Sequence, residues 1–368
     1  MILSKKIRCL PTAEQITLFK KSSGTARFVY NLMILENKKA YNNYLQSNRN
    51  DKLSFITGYA FGKYITELKK LPEYSWLSEV SSKVAKQACI DCDNAFKRFF
   101  KKLSGFPKFK KKGVKDSFYV RYDSIKVTKR GFKCEKLGEI KTSELLPKVN
   151  KYYNPHIVYD GKYWYITFGI DIHEKDNENN TGKTLGIDLG IKTFATVSDG
   201  TVISNINKSR KVKLIYRTIK YFQHKLVRCK KRSKNRIKVI KKLQLLHRKL
   251  RCIRNNHIHQ ATTMLVKTKP AKIVIECLNV LGMLKNRKLS RAISEAGLYE
   301  FARQLEYKCK LYGIDFVKAN RFFPSSKLCS ICGYKKNNLK LSDRIYHCEH
   351  CGNVIDRDLN ASINLSYL

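Results

Sequence analysis

Two Cys-x2-Cys-Gly turns constrain this chain more than any other feature: Cys329-Ser-Ile-Cys332-Gly333 and, after fourteen intervening residues, Cys348-Glu-His-Cys351-Gly352. Paired turns of this spacing deliver four thiolates to one tetrahedral ion, and the glycines let each turn wrap the metal. Four sulfur ligands leave no open coordination position, so Cys329, Cys332, Cys348 and Cys351 are expected to hold one structural zinc ion. A disulfide framework is the competing explanation. The other eight of the twelve cysteines are scattered, which fits a reducing, cytoplasmic setting instead. Cys89-Ile-Asp-Cys92 has no second pair and falls in a helical pattern, so it reads as core packing.

Charge narrows the partner. The 368 residues carry 75 Lys and Arg against 29 Asp and Glu, a formal charge of +46. A compact chain repels itself at that charge unless a polyanion offsets it, which makes nucleic acid the expected partner. An apolar content of 43% is that of a globular chain. No apolar run approaches the roughly 18 residues of a spanning helix, and the start Met1-Ile-Leu-Ser-Lys-Lys-Ile-Arg8 is too short and broken for a signal peptide. Between Asp199 and Glu276 there is no acidic residue, while 20 Lys or Arg crowd residues 208–254. A charge run is usually a solvated helix face; the lack of any compensating acid favours a phosphate-binding surface.

Periodicity divides the chain. Residues 1–10 read as a strand, and Thr12-Ala-Glu-Gln15 is a capping box opening a helix through Leu18, Ala26, Tyr30 and Met33. Helical patterns continue over 55–71 and 82–102, the latter with Val84, Ala88, Cys92, Ala95 and Phe99 on one face. The segment from Gly105 to Gly113 is a basic, aromatic loop. From 117 to 170 the period becomes two, with Asp160-Gly161 as a hairpin turn. A β-module therefore brackets a helical insertion, with residues 1–10 returning to join it. Residues 171–183 are polar and acidic, a linker. Then come a hairpin over 185–199 and two basic amphipathic helices. One is marked by Leu214, Ile219, Phe222 and Leu226, the other by Ile240, Leu243, Leu250 and Ile253. A strand at 272–276, a helix over 292–311 closed by Gly313, and a strand at 314–317 follow.

Two acids end apolar strands. In Leu185-Gly-Ile-Asp188-Leu-Gly190, Gly186 and Asp188 share a face opposite Leu185 and Ile187, and Gly190 admits a close approach. Ile273-Val-Ile-Glu276 repeats the arrangement. Asp356 and Asp358 follow the second cysteine turn and enter a short helix. An acid there is costly to bury unless it meets a cation or a partner. Any one of them could be an ordinary solvated or salt-bridged carboxylate. Together they form a ligand set for two Mg²⁺ or Mn²⁺ ions, the requirement for two-metal phosphodiester cleavage.

These residues resemble a known family. Gly186-Ile-Asp188-Leu-Gly190, Ile273-Val-Ile-Glu276 and Asp356-Arg-Asp358-Leu-Asn360-Ala are similar to the three motifs of a RuvC-type nuclease domain. With the cysteine ribbon just before the third motif, the chain resembles the TnpB (OrfB) family of insertion-sequence nucleases, relatives of the compact type V CRISPR effectors. Segments 26–31, 106–109, 305–308 and 323–329 also match family motifs; Cys277 departs, standing where an Asp commonly follows the Glu.

The resemblance implies a mixed α/β multidomain fold. An RNase H-like (RuvC-type) domain would span 181–328 and 352–368, with the ribbon at 329–351. A wedge-like β-barrel would span 1–11 and 115–180, with a helical recognition domain at 12–114. It implies Mg²⁺-dependent, RNA-guided cleavage of double-stranded DNA beside a short adjacent motif by Asp188, Glu276 and Asp358, with Asp356 the runner-up. The guide RNA would derive from the transposon end, and the protein is expected to act as a monomer. Lys83 and Gln87, at i,i+4, are candidates for reading the motif, since Gln can pair with adenine, but plain surface residues are an equal reading. Arg228, Lys230, Lys231, Arg232 and Arg357 are further candidate nucleic-acid contacts. A catalytically idle regulator of transposition is the first rival. A strand-transferring transposase is the second, disfavoured because its acids normally run Asp, Asp, Glu.

Overall fold

The computed structural model describes residues 1–46, 55–113, 116–173, 180–340 and 342–368. Residues 174–179 of the acidic linker expected at 171–183 thus lie outside the described residues. The chain forms two compact units, Met1–Ile172 and His173–Leu368.

In the first unit, β1 (Ile2–Leu10) leads into the long helix α1 (Ala13–Gln46), then α2 (Gly58–Leu68) and α3 (Ser82–Phe100). Short strands follow: β2 (Ser117–Tyr119), β3 (Lys126–Thr128), β4 (Gly131–Cys134), β5 (Gly138–Thr142), β6 (Tyr153–Tyr159) and β7 (Trp164–Asp171). The capping box is present: the Thr12 amide donates to Gln15 Oε1 and the Gln15 amide to Thr12 Oγ1. β1 does return to the β-module, pairing β7 along most of its length and β5 at its end. The sheet order is β2-β6-β7-β1-β5-β4-β3. One core gathers Phe118 of β2, Phe132 of β4 and Ile166 of β7, so the sheet wraps on itself, and Phe19 of α1 plugs it.

The distal half of α1 packs instead on α2 and α3 through Val29, Met33, Ile34, Phe61 and Leu77. Cys89 and Cys92 are fully buried there, their thiols pushed up to about 12 by burial, as inert packing groups behave. The buried stripe of α3 runs Val84, Ala88, Cys92, Phe96 rather than on to Ala95 and Phe99. Phe96 packs on the rings of Phe55 and Phe106, 5.2 and 5.5 Å away, and is buried where Ala95 is only half-buried.

The second unit is built on a five-stranded sheet: β8 (Thr184–Leu189), β9 (Thr193–Val197), β10 (Val202–Ser204), and then, beyond the helices α4 (Arg210–Arg228) and α5 (Lys234–Lys267), β11 (Lys272–Ile275). Next come α6 (Val280–Met283), α7 (Ser290–Ala296), α8 (Leu298–Tyr312) and β12 (Asp315–Lys318). The chain closes with a small hairpin, β13 (Ile345–His347) and β14 (Val354–Asp356), and α9 (Arg357–Ser366). The strand order is β10-β9-β8-β11-β12, antiparallel from β10 to β8 and parallel from β8 to β12.

Leu185, Ile187 and Leu189 face a core completed by Ile258 and Leu265 of α5 and Phe301 and Leu305 of α8. The opposite face carries Val274 against Leu365 of α9.

Three expectations need correction here. The helix expected over 292–311 is broken at Gly297, whose φ of +74° ends α7 and restarts the chain as α8. On α4 the buried residues are Val212, Ile215 and Ile219, while Leu214 is exposed; on α5 Val239 is buried in place of Ile240. Here α4 packs on the N-terminal half of α5, and their narrow apolar seam tolerates neighbouring choices that sequence periodicity does not separate. Among the described residues no helix is long and apolar enough to cross a membrane.

Candidate active site

Strand register brings two acids together. β8 and β11 run parallel, with Gly186 opposite Val274 and Ile187 opposite Ile275. One residue further along, Asp188 and Glu276 are neighbours at the C-terminal edge of the sheet, on the face of Gly186 and Val274. That face is covered by α9, and α9 begins with Asp358 in its first turn. Three acids separated by 88 and 82 positions in sequence thus converge from two strands and a helix.

The electrostatics record the crowding. The Asp188 carboxyl is pushed up to about 8, first by burial, then by the charges of Glu276 and Asp358, and by a hydrogen bond shared with Glu276. Arg357 beside it pulls the other way. Buried carboxyls crowded this closely oppose one another's ionised forms. The Ser325 hydroxyl donates to Glu276 Oε1 at 2.8 Å, and Arg344 lies 3.8 Å from Asp358 Oδ1. A cleft of about 220 Å³, lined in part by Leu189, Glu276, Leu298, Arg303 and Lys318, opens beside Glu276.

The two terminal aspartates have different tasks. Asp356 is the N-cap of α9, its Oδ1 accepting from the amides of Asp358 (2.9 Å) and Leu359 (3.1 Å). Its side chain is committed to the helix end. Asp358 is the acid whose charge acts on Asp188.

Gly186 is what allows α9 this close. A Cβ there would lie 1.9 Å from the Ser362 carbonyl oxygen and 2.5 Å from the Ser366 nitrogen. The sequence reading credited close approach to Gly190; a Cβ at that position meets only the Thr193 carbonyl of its own hairpin, at 2.7 Å.

The four cysteines also meet. Their Sγ atoms all lie within 4.8 Å of one another, at 3.6 Å for Cys329–Cys351 and 3.5 Å for Cys332–Cys348. Sulfurs about 2.3 Å from a central ion stand about 3.8 Å apart at tetrahedral angles, so the donor set fits a tetrahedral metal. Gly333 and Gly352 both take φ of +72°, as each turn requires.

The candidate nucleic-acid residues are dispersed. Arg228, Lys230, Lys231 and Arg232 form an exposed cationic tip where α4 turns into α5. Lys83 and Gln87 are half-buried on α3, and the Gln87 amide donates to Asp91 at 2.9 Å. Arg357 is held by the carbonyls of Lys340 (3.0 Å) and Asp343 (3.4 Å). Sequence reasoning missed Ser325 and Asn364. Ser325 stood inside a quoted motif, but only the fold shows what its hydroxyl touches.

Similarity to known proteins follows this layout. A protein of Streptomyces pristinaespiralis named "Putative RNA-guided DNA endonuclease" is 34% identical over 98% of this chain and 87% of its own length. This chain belongs to the TnpB family. A second TnpB relative, "Putative RNA-guided DNA endonuclease InsQ" of Escherichia coli K12, is 28% identical over 98% of this chain and 90% of that protein.

A family model described as "Probable transposase", of the OrfB type of IS605 elements, matches residues 167–287, and a "Cas12f1-like, TNB domain" matches 299–365. Residues 1–46 match a model described as "Helix-turn-helix domain", although here they form β1 and the single helix α1. The solved structure titled "Cryo-EM structure of the Cas12f1-sgRNA-target DNA complex" shares the fold, with a TM-score of 0.58 at 15% identity over 100% of this chain and 98% of that one.

Proposed function

We propose that this TnpB-family chain is an RNA-guided DNA endonuclease that hydrolyses phosphodiesters with Asp188, Glu276 and Asp358 as ligands for two Mg²⁺ or Mn²⁺ ions. The observation that carries the reading is the convergence of these acids on one face of the sheet edge, where burial and then the neighbouring charges push the Asp188 carboxyl up. Held by these carboxylates, divalent ions would supply an activated water and a counter-charge for the leaving oxygen. The names printed for the relatives point the same way. The strand order of the second unit supports an RNase H-like, RuvC-type domain, and the wrapped sheet of the first unit supports the wedge-like barrel. A regulator without catalysis would keep this acid cluster at a cost to folding and gain nothing from it.

The residues divide the work. Asp188 on β8, with Glu276 from β11 and Asp358 from α9 beside it, would hold the divalent ions. Mg²⁺ prefers such hard oxygen donors. The thiolate set suits zinc and is closed to substrate, so Cys329, Cys332, Cys348 and Cys351 would hold a structural zinc ion. Cys348→Ser should therefore lower the melting temperature of the zinc-loaded protein by about 6–12 °C, for a loss of about 3 kcal/mol. Unchanged melting and an undiminished zinc content would refute the structural zinc.

A guide RNA transcribed from the element end and a DNA target are the partners this reading requires. The α4–α5 tip is the leading candidate for their phosphates. Replacing Arg228, Lys230, Lys231 and Arg232 together by Gln should flatten the plot of log affinity against log salt by about 3 units for RNA. A slope equal to that of the unaltered protein would remove the tip from the binding surface.

A further inference from the structure

We propose that Ser325 is a positioning residue for Glu276, and that Asn360 and Asn364 tie it to the four-cysteine knuckle, so that the knuckle sets how well the acid cluster holds its divalent ions. The inference deepens the nuclease reading and rests on it.

Glu276 needs outside help to stay in place. It leaves β11 and enters residues 276–279, which have no regular structure, so beyond the hydrogen bond it shares with Asp188 no backbone ladder or helix turn sets its rotamer. Ser325 is 3% exposed, and its hydroxyl donates to Glu276 Oε1 at 2.8 Å. A donor fixed on one oxygen sets the plane of the carboxylate and so the direction of its lone pairs.

Ser325 is itself held. It lies between β12 and the first cysteine turn, in a segment gripped by two amides one turn apart on α9. Asn364 Nδ2 donates to the Ser325 carbonyl (2.8 Å) and the Leu328 carbonyl (2.7 Å). Asn360 Nδ2 donates to the same Leu328 carbonyl (2.6 Å), while its Oδ1 accepts from the amide of Ser330, inside the Cys329–Cys332 turn (2.9 Å). Asn360 is wholly buried and Asn364 is 5% exposed, so neither has water as a substitute partner. The geometry is therefore a continuous chain from cysteine turn to Asn360, Leu328, Asn364, Ser325 and Glu276. The same helix carries Asp358. One rigid helix thus places one acid directly and a second through a hydroxyl, and the knuckle anchors the segment between them.

The bland alternative is that these amides and the hydroxyl merely satisfy buried polar groups. Divalent-ion affinity separates the two. Full-length protein, zinc-loaded and stripped of other divalents on a chelating resin, is titrated with Mn²⁺ while its melting temperature is recorded; Asp188→Ala serves as reference. Ser325→Ala should raise the Mn²⁺ concentration at half-maximal stabilisation by about 10- to 100-fold. Ser325→Thr, which keeps the hydroxyl, should restore it, and Asn364→Asp, which removes the amide donor, should shift it in the same direction as Ser325→Ala. Cleavage by the guide-loaded protein should recover at high Mn²⁺ in Ser325→Ala but not in Asp188→Ala. A wild-type Mn²⁺ midpoint in Ser325→Ala would sink the relay while leaving the nuclease reading intact. Absence of any Mn²⁺ stabilisation that depends on Asp188 would overturn both.

Discussion

Asp188→Asn is expected to reduce DNA cleavage by at least about 10³-fold, or about 4 kcal/mol of transition-state stabilisation, while RNA affinity stays within about twofold. The same substitution should raise the melting temperature of metal-free protein at neutral pH. The sign follows from proton linkage. The folded-state carboxyl stands at about 8, above its ordinary 3.8. Below about pH 4 both folded and unfolded chains hold the proton, and no penalty exists. Between about pH 4 and 8 the unfolded chain has released it and the folded chain has not, so stability falls as pH rises through that window. Asp188→Asn removes that slope, and Mg²⁺ should offset it in the unaltered protein. Melting curves across the pH range with and without Mg²⁺ check this. A variant that loses cleavage and RNA binding together has misfolded, and an unchanged cleavage rate removes Asp188 from the chemistry.

The second large effect is expected at Gly186, which no acid-centred view of the site would single out. A methyl group there meets the backbone of α9 at 1.9 and 2.5 Å, and backbone cannot swing aside as a side-chain tip can. Gly186→Ala should cost about 3 kcal/mol through overpacking and displace Asp358 from Asp188. Cleavage should fall at least tenfold even at temperatures where the protein remains folded, because the helix that carries the third acid has moved. Circular dichroism melting and cleavage assays on the same preparation test both parts. A wild-type rate from a folded Gly186→Ala protein would mean that α9 does not sit against β8 as described.

Much of the site was legible before any fold was known. Asp188 and Glu276 each close an apolar strand run, and a costly charge at the end of such a run is a local signal that needs no partner to be noticed. The cysteine turns are visible because ligand spacing is a short-range property of the chain. The capping box at Thr12 and Gln15 and the return of β1 to the β-module followed from local pattern and alternation in the same way.

The errors share a cause: they concern which of two adjacent candidates meets a distant element. Leu214 and Val212 are equally apolar, but only the packing of α4 on α5 and its surroundings buries Val212. The stop at Gly297 was hidden because glycine is tolerated inside a helical pattern until its φ is known.

The amino-acid sequence by itself determined the chemistry available: hard carboxylates for divalent ions, soft thiolates for a closed metal turn, and a cationic excess that calls for a polyanion. These depend on residue type and short spacing, which tertiary packing does not alter. Only the tertiary structure decided which carboxylates stand together. Asp356 and Asp358 differ by two positions, yet one is consumed by the helix N-terminus and the other faces Asp188. Similarly, Gly186 rather than Gly190 admits the helix, and Ser325 reaches Glu276 across 49 residues of chain. Those outcomes are set by strand register and by backbone-to-backbone distance, quantities that exist only once distant segments have been packed against each other.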